Sequence, residues 1–279
     1  MTIEVLRKIT SRPTGIYSLI VVAAICGAAL FAPLIETHPP NQIDVLHRFG
    51  SPSLEHWLGT DHLGRDVFSR LVNGATIAMA VALTSIAIAL TAGTALGILA
   101  VEARARWERP ILVIFDVISS FPSLVLALAF IAILGPGLFN VAIIVAVTLT
   151  PHFGRVARAQ VLAVREQPYI EAERVLGASR LRIAVTHILP NIMGPLVILA
   201  SMDIPVVIGI EAGLSFIGLG VRPPLASWGT LIYDGFSYIS QSAMPVTVSS
   251  LALGFATLGF TLFGEALRDA IDPKMRAVA

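Results

Sequence analysis

Residues able to do chemistry are few in this chain, and the familiar constellations are missing. The six histidines (His38, His47, His56, His62, His152 and His187) are scattered, and none forms an HExxH or another close ligand pair. No metal site is expected from them. No GxSxG elbow occurs, so no nucleophile has its usual setting and no catalytic residue is assigned. A GxxxxGK phosphate loop is absent, as is any Gly-Lys dipeptide, which removes the common means of cradling a nucleotide. Cys26 is the single cysteine and excludes an internal disulfide or a multi-cysteine metal site. Two features remain. Acidic residues at Asp116, Asp203 and Glu211 are set in apolar surroundings, and a polar, arginine-bearing segment, Glu171–Pro190, lies between apolar runs.

A carboxylate inside a bilayer is costly and marks either a function or a pair. Asp203 lies near the middle of its run with Pro205 two residues on. A proline there leaves backbone carbonyls unpaired, which suits a helix bordering a cavity. Asp203, Pro205 and Glu211 are therefore the candidates for a translocation path. The plainer reading of Asp203 is a hydrogen bond that sets packing against a neighbouring helix. Asp116, within two turns of the cytoplasmic end of its run, can snorkel to the interface or pair with an arginine there, a structural role in either case. Glu211 stands at the opposite boundary, where it can also hold the irregular stretch Leu214–Gly229 in place.

The elements that must position these groups are apolar. The chain of 279 residues is 56% hydrophobic and 13% charged, with a mean hydropathy of +0.82, whereas soluble domains carry about 25% charged residues. The fold class is an all-α polytopic membrane protein. A net charge of +1 argues against nucleic acid as a partner, because phosphate neutralisation needs a dense basic face.

Six apolar runs can span, at 16–36, 75–101, 111–134, 138–153, 192–210 and 243–264. The first follows Arg7, Lys8 and Arg12. At about 20 residues, with no A-x-A site after it, it reads as an uncleaved anchor. Gly93 and Gly97 in the second run form a GxxxG pair, which lets helices approach closely in lipid. The third is interrupted by Asp116 and Pro122 and ends at Gly135-Pro136-Gly137. The chain thus divides into a tail (1–15), a first span (16–36), a polar segment (37–74), a five-helix core (75–266) and a second tail (267–279). Within the core, 155–190 and 214–243 are the long connections.

Six spans fix an orientation by charge. With the N-terminus in the cytoplasm, all but four of the 19 basic residues fall inside, the exceptions being Arg48, Arg65, Arg70 and Arg222. The positive-inside rule asks for that bias, so both termini and Glu171–Pro190 are expected to be cytoplasmic. Within that segment Glu171 and Glu173 suit a helix N-terminus, where their charge favours the dipole. Gly177 offers a break, and Ala178–Ile188 can resume helix before Pro190. Two short helices with a bend between them would make a compact protrusion. Composition alone leaves open whether it docks a partner or is a solvated loop.

The pattern Glu171-Ala172-Glu173, Gly177-Ala178, Ile183 and Leu189-Pro190 resembles the EAA signature of ABC-importer permease subunits. It departs from the family at Glu173, where a small residue is usual. The resemblance extends over most of the chain. WLGTDHLGRDVFSR at 57–70, Asp116–Gly137, EAGLSFIGLG at 211–220, Ser227-Trp228-Gly229 and LRDAIDP at 267–273 are similar to the C-type permeases of the dipeptide/oligopeptide/nickel group.

That resemblance implies a type I importer fold in which Glu171–Pro190 is a coupling helix docked on an ATPase subunit. It implies a homologous second permease, two ATP-binding subunits and an extracytoplasmic substrate-binding protein, in a bacterial inner membrane. ATP and Mg²⁺ would sit on the partners and no cofactor on this chain. Pro190 and Gly194-Pro195 would fix the angle at which the loop joins the fifth span. Asp61, Gly64, Arg65, Asp66 and Trp228 become candidates for docking the binding protein. A basic residue on the ATPase is expected to meet Glu173. Peptides are the expected cargo, with nickel or a metal chelate as the alternative. A secondary transporter or channel would need a coupling-ion site, and Asp203 has no evident partner in sequence.

Overall fold

The computed structural model describes residues 2–102 and 105–271. Arg104, Lys274 and Arg276 of the charge count, and the tail from Asp272, lie outside the described residues. All regular structure among the described residues is helical. Helices α1 (Thr2–Ile9), α2 (Pro13–Leu30) and the single turn α3 (Ala32–Ile35) lead into a mostly irregular segment. Then come α4 (Val67–Glu102), α5 (Ala105–Ser119), α6 (Ser123–Leu134) and α7 (Leu138–Arg165). After α8 (Pro168–Val175), the turn α9 (Arg180–Ile183) runs into α10 (Leu189–Phe216), and α11 (Trp228–Ser237) and α12 (Met244–Ile271) complete the set. Five of these are long and apolar enough to cross a membrane, or six if the bent pair α5–α6 is one span.

The centre of the molecule is the α4–α7 pair, onto which α10 packs. The Gly93/Gly97 stripe makes that contact possible. A Cβ on Gly93 would stand 2.7 Å from the Thr150 carbonyl oxygen, and one on Gly97 would stand 2.6 Å from that of Gly154. Small residues substitute here for the hydrophobic drive that lipid does not supply. Ser85 Oγ donates to the Ala142 carbonyl at 2.9 Å across the same interface. Helix α2 is the peripheral one, packed on α12 and α4.

Helix α4 starts at Val67 and not at 75, and α10 and α12 run on to Phe216 and Ile271, past the 210 and 264 expected. Three further differences bear on the site. The third run is not straight: its halves are bent by 92° at residues 120–122, because Pro122 lacks an N–H and disfavours helix at Phe121. Helix α7 does not end at about Phe153 but runs through Pro151 and on to Arg165. It continues because Phe153, Ala157 and Val161, one per turn, are all fully buried and outweigh one missing hydrogen bond. The second half of the charged segment is likewise no separate helix, since Arg180–Phe216 is one long rod. What remains between α7 and that rod is 166–179.

Candidate functional site

The hairpin 166–179 is built from local rules. Gln167 is extended and Pro168 opens α8, as suits a first-turn proline. Glu171 lies in the first turn and Arg174 in the last, each matching the dipole. The helix closes in a Schellman motif: Gly177 N–H donates to the Arg174 carbonyl at 3.1 Å and Ala178 N–H to that of Glu173 at 3.0 Å. Gly177 has φ +83°, the left-handed conformation this cap needs and that glycine adopts without strain. Two residues on, the Ser179 hydroxyl accepts from Arg182 N–H at 3.3 Å and starts the next helix. Glycine and serine together turn the chain in four residues.

The hairpin faces outward at its tip and is fastened at its base. Val175, Leu176 and Leu181 are 83%, 81% and 74% exposed, while Ile170 and Ile183 are buried. Glu171, Ala172 and Pro190 are exposed, and Glu173, Ala178 and Leu189 half-buried. The three apolar residues at the tip were missed by a reading based on charge. Their signal was large hydrophobics inside an otherwise polar segment, since exposed apolar clusters mark interaction sites.

Four contacts tie the base to the spans. Arg180 Nη1 donates to the Glu102 carbonyl at 2.9 Å and Arg165 Nη1 to that of Val101 at 3.4 Å, both at the end of α4. Asn191 Nδ2 donates to Tyr169 Oη at 3.2 Å. Glu173 Oε1 lies 3.5 Å from His187 Nε2. Glu173 thus has a histidine neighbour within this chain, on the rod itself. That rod carries a π turn at Ala184–Ile188, with Leu189 N–H bonding to the Ala184 carbonyl. The wider turn makes room for the ring of Pro190, which would otherwise crowd the preceding turn.

Deeper in the bundle, Asp203 is 6% exposed and its Oδ2 stands 3.2 Å from Nδ1 of His152 on α7. Asp203 thus has a partner that spacing could not reveal, and His152, half-exposed, is the accessible member of the pair. Pro205, two residues on and so about half a turn away, is half-buried. Glu211 is fully buried; its Oε1 accepts from Ser215 Oγ at 2.7 Å, and that hydroxyl accepts from Val221 N–H at 3.1 Å. It holds the start of the irregular stretch, as expected. Asp116 pairs with Arg155 Nη2 at 2.9 Å.

At the opposite end, Asp61, Gly64, Arg65, Asp66 and Trp228 are all buried. The side chains of Asp61, Arg65, Asp66 and Trp228 face this chain instead of an outside partner. Arg65 bridges Asp61 at 2.7 Å and Asp234 at 3.2 Å. Trp228 Nε1 donates to the Leu71 carbonyl at 3.0 Å, its ring against Gly74. Gly64 sits so close to Asp44 that a Cβ would fall 1.7 Å from its carbonyl oxygen. Asp66 caps α4, accepting from Ser69 N–H at 2.8 Å and facing Nδ1 of His56 at 2.9 Å. Burial acts to raise its carboxyl, but the bonds from Ser69, His56 and Thr37 hold it below the ordinary carboxylate value. These residues knit the segment before α4 to α11.

Spanning helices around a tight α4–α7 pair, with a capped hairpin fastened to α4 and to the rod ending in α10, define a multi-pass membrane permease. A solved inward-facing structure of the MetNI methionine ABC transporter has the same fold, with a TM-score of 0.58, 22% identity and coverage of 76% of this chain and 97% of that chain. The chain belongs to the family of binding-protein-dependent transport system inner membrane components, whose pattern matches residues 89–277. Among its relatives, the dipeptide transport system permease protein DppC of Alkalihalophilus pseudofirmus is 36% identical over 275 residues, covering 98% of this chain and 90% of the relative. The probable D,D-dipeptide transport system permease protein DdpC of Escherichia coli is 38% identical, covering 94% and 88%. The glutathione transport system permease protein GsiD of Pectobacterium atrosepticum is 36% identical, covering 98% and 89%.

Proposed function

We propose that this chain is one membrane half of an ATP-driven importer of short peptides, with 166–179 as the element moved by an ATP-binding subunit. The observation that carries the reading is the hairpin's construction. An apolar tip of Val175, Leu176 and Leu181 is exposed, and its base is bonded to α4 and to the rod that holds Asp203. A push on the tip reaches two spanning elements directly.

The relatives named for dipeptides, D,D-dipeptides and glutathione support a peptide cargo over nickel or a metal chelate. The partners are a homologous second permease, two ATP-binding subunits that hold ATP and Mg²⁺, and an extracytoplasmic binding protein. The arginine distribution supports cytoplasmic termini and a cytoplasmic hairpin in the bacterial inner membrane. The binding protein would meet the surface that Asp61, Arg65 and Trp228 hold in place, where Leu46, Leu54 and Trp57 are exposed. The His152–Asp203 pair and Pro205 would border the path.

The test is co-expression with the ATP-binding subunits. Leu176→Asp, Gly177→Asp and Glu171→Lys should insert normally yet lose peptide uptake, and Leu176→Asp should also lose co-purification of the ATPase. Normal uptake by all three variants overturns the coupling role, and uptake without the ATPase subunits overturns the importer class.

A further inference from the structure

The expectation that no histidines form a ligand pair does not hold in space. His38 follows α3 and His56 precedes α4, yet their ring centroids are 4.5 Å apart. One ligand atom from each of His38, Glu55 and His56 lies within 4.8 Å of the others. The surroundings prepare both rings. Nδ1 of His56 faces Asp66 Oδ1 at 2.9 Å. Nδ1 of His38 faces Thr37 Oγ1 at 3.2 Å, and that hydroxyl lies 3.2 Å from Asp66 Oδ2. One buried carboxylate therefore orients both imidazoles, directly and through a hydroxyl. With Nδ1 engaged on each ring, Nε2 is the nitrogen left for a ligand. A carboxylate behind a histidine is the usual outer support of a metal-bound imidazole.

We infer that His38, His56 and Glu55 form a divalent transition-metal site, taking Zn²⁺ or an ion of similar preference, which staples the first span to the start of α4. Two imidazoles and a carboxylate suit Zn²⁺ far better than Ca²⁺ or Mg²⁺, which prefer oxygen alone. Three protein ligands leave a fourth position for water. The ion would close the excursion 39–55 at its neck. The second grouping of possible ligands, Asp61, His62 and Asp234, is a poorer host, because Arg65 contacts both aspartates and Arg70 stands 3.6 Å from Asp61. Their positive charge would oppose a cation.

The experiment uses the full chain in lipid nanodiscs, stripped with chelator and titrated with Zn²⁺, with Co²⁺ as a spectroscopic probe. Expected are one bound Zn²⁺ per chain, a visible Co²⁺ spectrum, and protection of 39–55 from protease. His38→Ala and His56→Ala should each abolish the Co²⁺ spectrum, and Thr37→Val should weaken Zn²⁺ binding by about 10-fold, as for other outer supports. Glu55 is exposed, so Glu55→Gln should leave the fold intact and still weaken binding. Unchanged binding in Glu55→Gln and His38→Ala, or equal binding of Ca²⁺, overturns the site. So does the absence of any Co²⁺ spectrum in the unmodified chain. The readouts need no transport, so they stand apart from the importer reading.

Discussion

The two ends of this molecule are built on opposite principles. The hairpin end takes its shape from short-range bonds, with its cap, turn and N-cap all closing within five residues. Only its base is tied to distant residues, and it leaves its large apolar side chains outside. The other end ties residues far apart in sequence, Arg65 to Asp234 and Trp228 to Leu71, and buries its charges. Local bonds would preserve the shape of a piece that is moved as a unit, whereas long-range buried bonds resist relative movement. One end is suited to transmit force as a unit and the other to stay fixed against it.

That contrast can be broken most severely at the fixed end. Arg65→Ala breaks the buried bridges to Asp61 and Asp234 and leaves Asp61 with Arg70 alone, at 3.6 Å. Breaking a buried pair costs up to about 3–5 kcal/mol, and the expected outcome is a lowered thermal transition and less of the chain in the membrane fraction. Gly177→Val forces a β-branched residue into the left-handed region, at about 1–2 kcal/mol. It should abolish uptake while insertion and expression persist. A chain lost from the membrane in that variant would mean that the hairpin supports the fold after all. Asp203→Ala should alter uptake without loss of assembly, and if it instead removes the protein from the membrane, its pairing with His152 serves packing. Ser179→Ala removes an N-cap worth about 1 kcal/mol and should lower the uptake rate only in part.

The smallest effect is with pH. Asp66 is held below its ordinary carboxyl value in the folded chain, so its stabilising share is present above the unfolded value, about 3.9. It is lost as pH falls through the lower folded value. Melting temperature measured on descending pH should fall in the unmodified chain, and fall less steeply in Asp66→Asn.

The apolar runs, the Gly93/Gly97 contact and the break at Gly177 were legible in the sequence, because each rests on local pattern or on composition; the Ser179 cap was not read, and pairing was one of two roles open to Asp116. The 92° bend at 120–122 was only half legible: Pro122 announces a break, but its angle depends on what the two halves pack against. Charged residues misled the reading at Arg155–Arg165, which looks like loop and is helix, since helices that leave the membrane keep their apolar stripe and gain a polar one. Arg180–Ile188, expected as a separate short helix, runs on into α10. Asp61 and Arg65 were read as surface because charged residues seldom go inside unpaired, and the pairing comes from Asp234, distant in sequence. The same distance concealed His152 from Asp203, His187 from Glu173 and His38 from His56.

The π turn at Ala184–Ile188 has an angular consequence. An α-helix advances about 100° per residue, and a π turn takes in one extra residue without that advance. Counting by 3.6 from Arg180 to Asp203 therefore names the wrong face by about one residue's rotation. Removing Val185 would close the bulge and keep the hairpin and Asp203 in phase. Removing a residue between Gly194 and Asp203 would turn the carboxylate away from His152 by about 100°. Two single deletions in one rod, a few turns apart, should thus leave a transporter in one case and a mis-phased helix in the other.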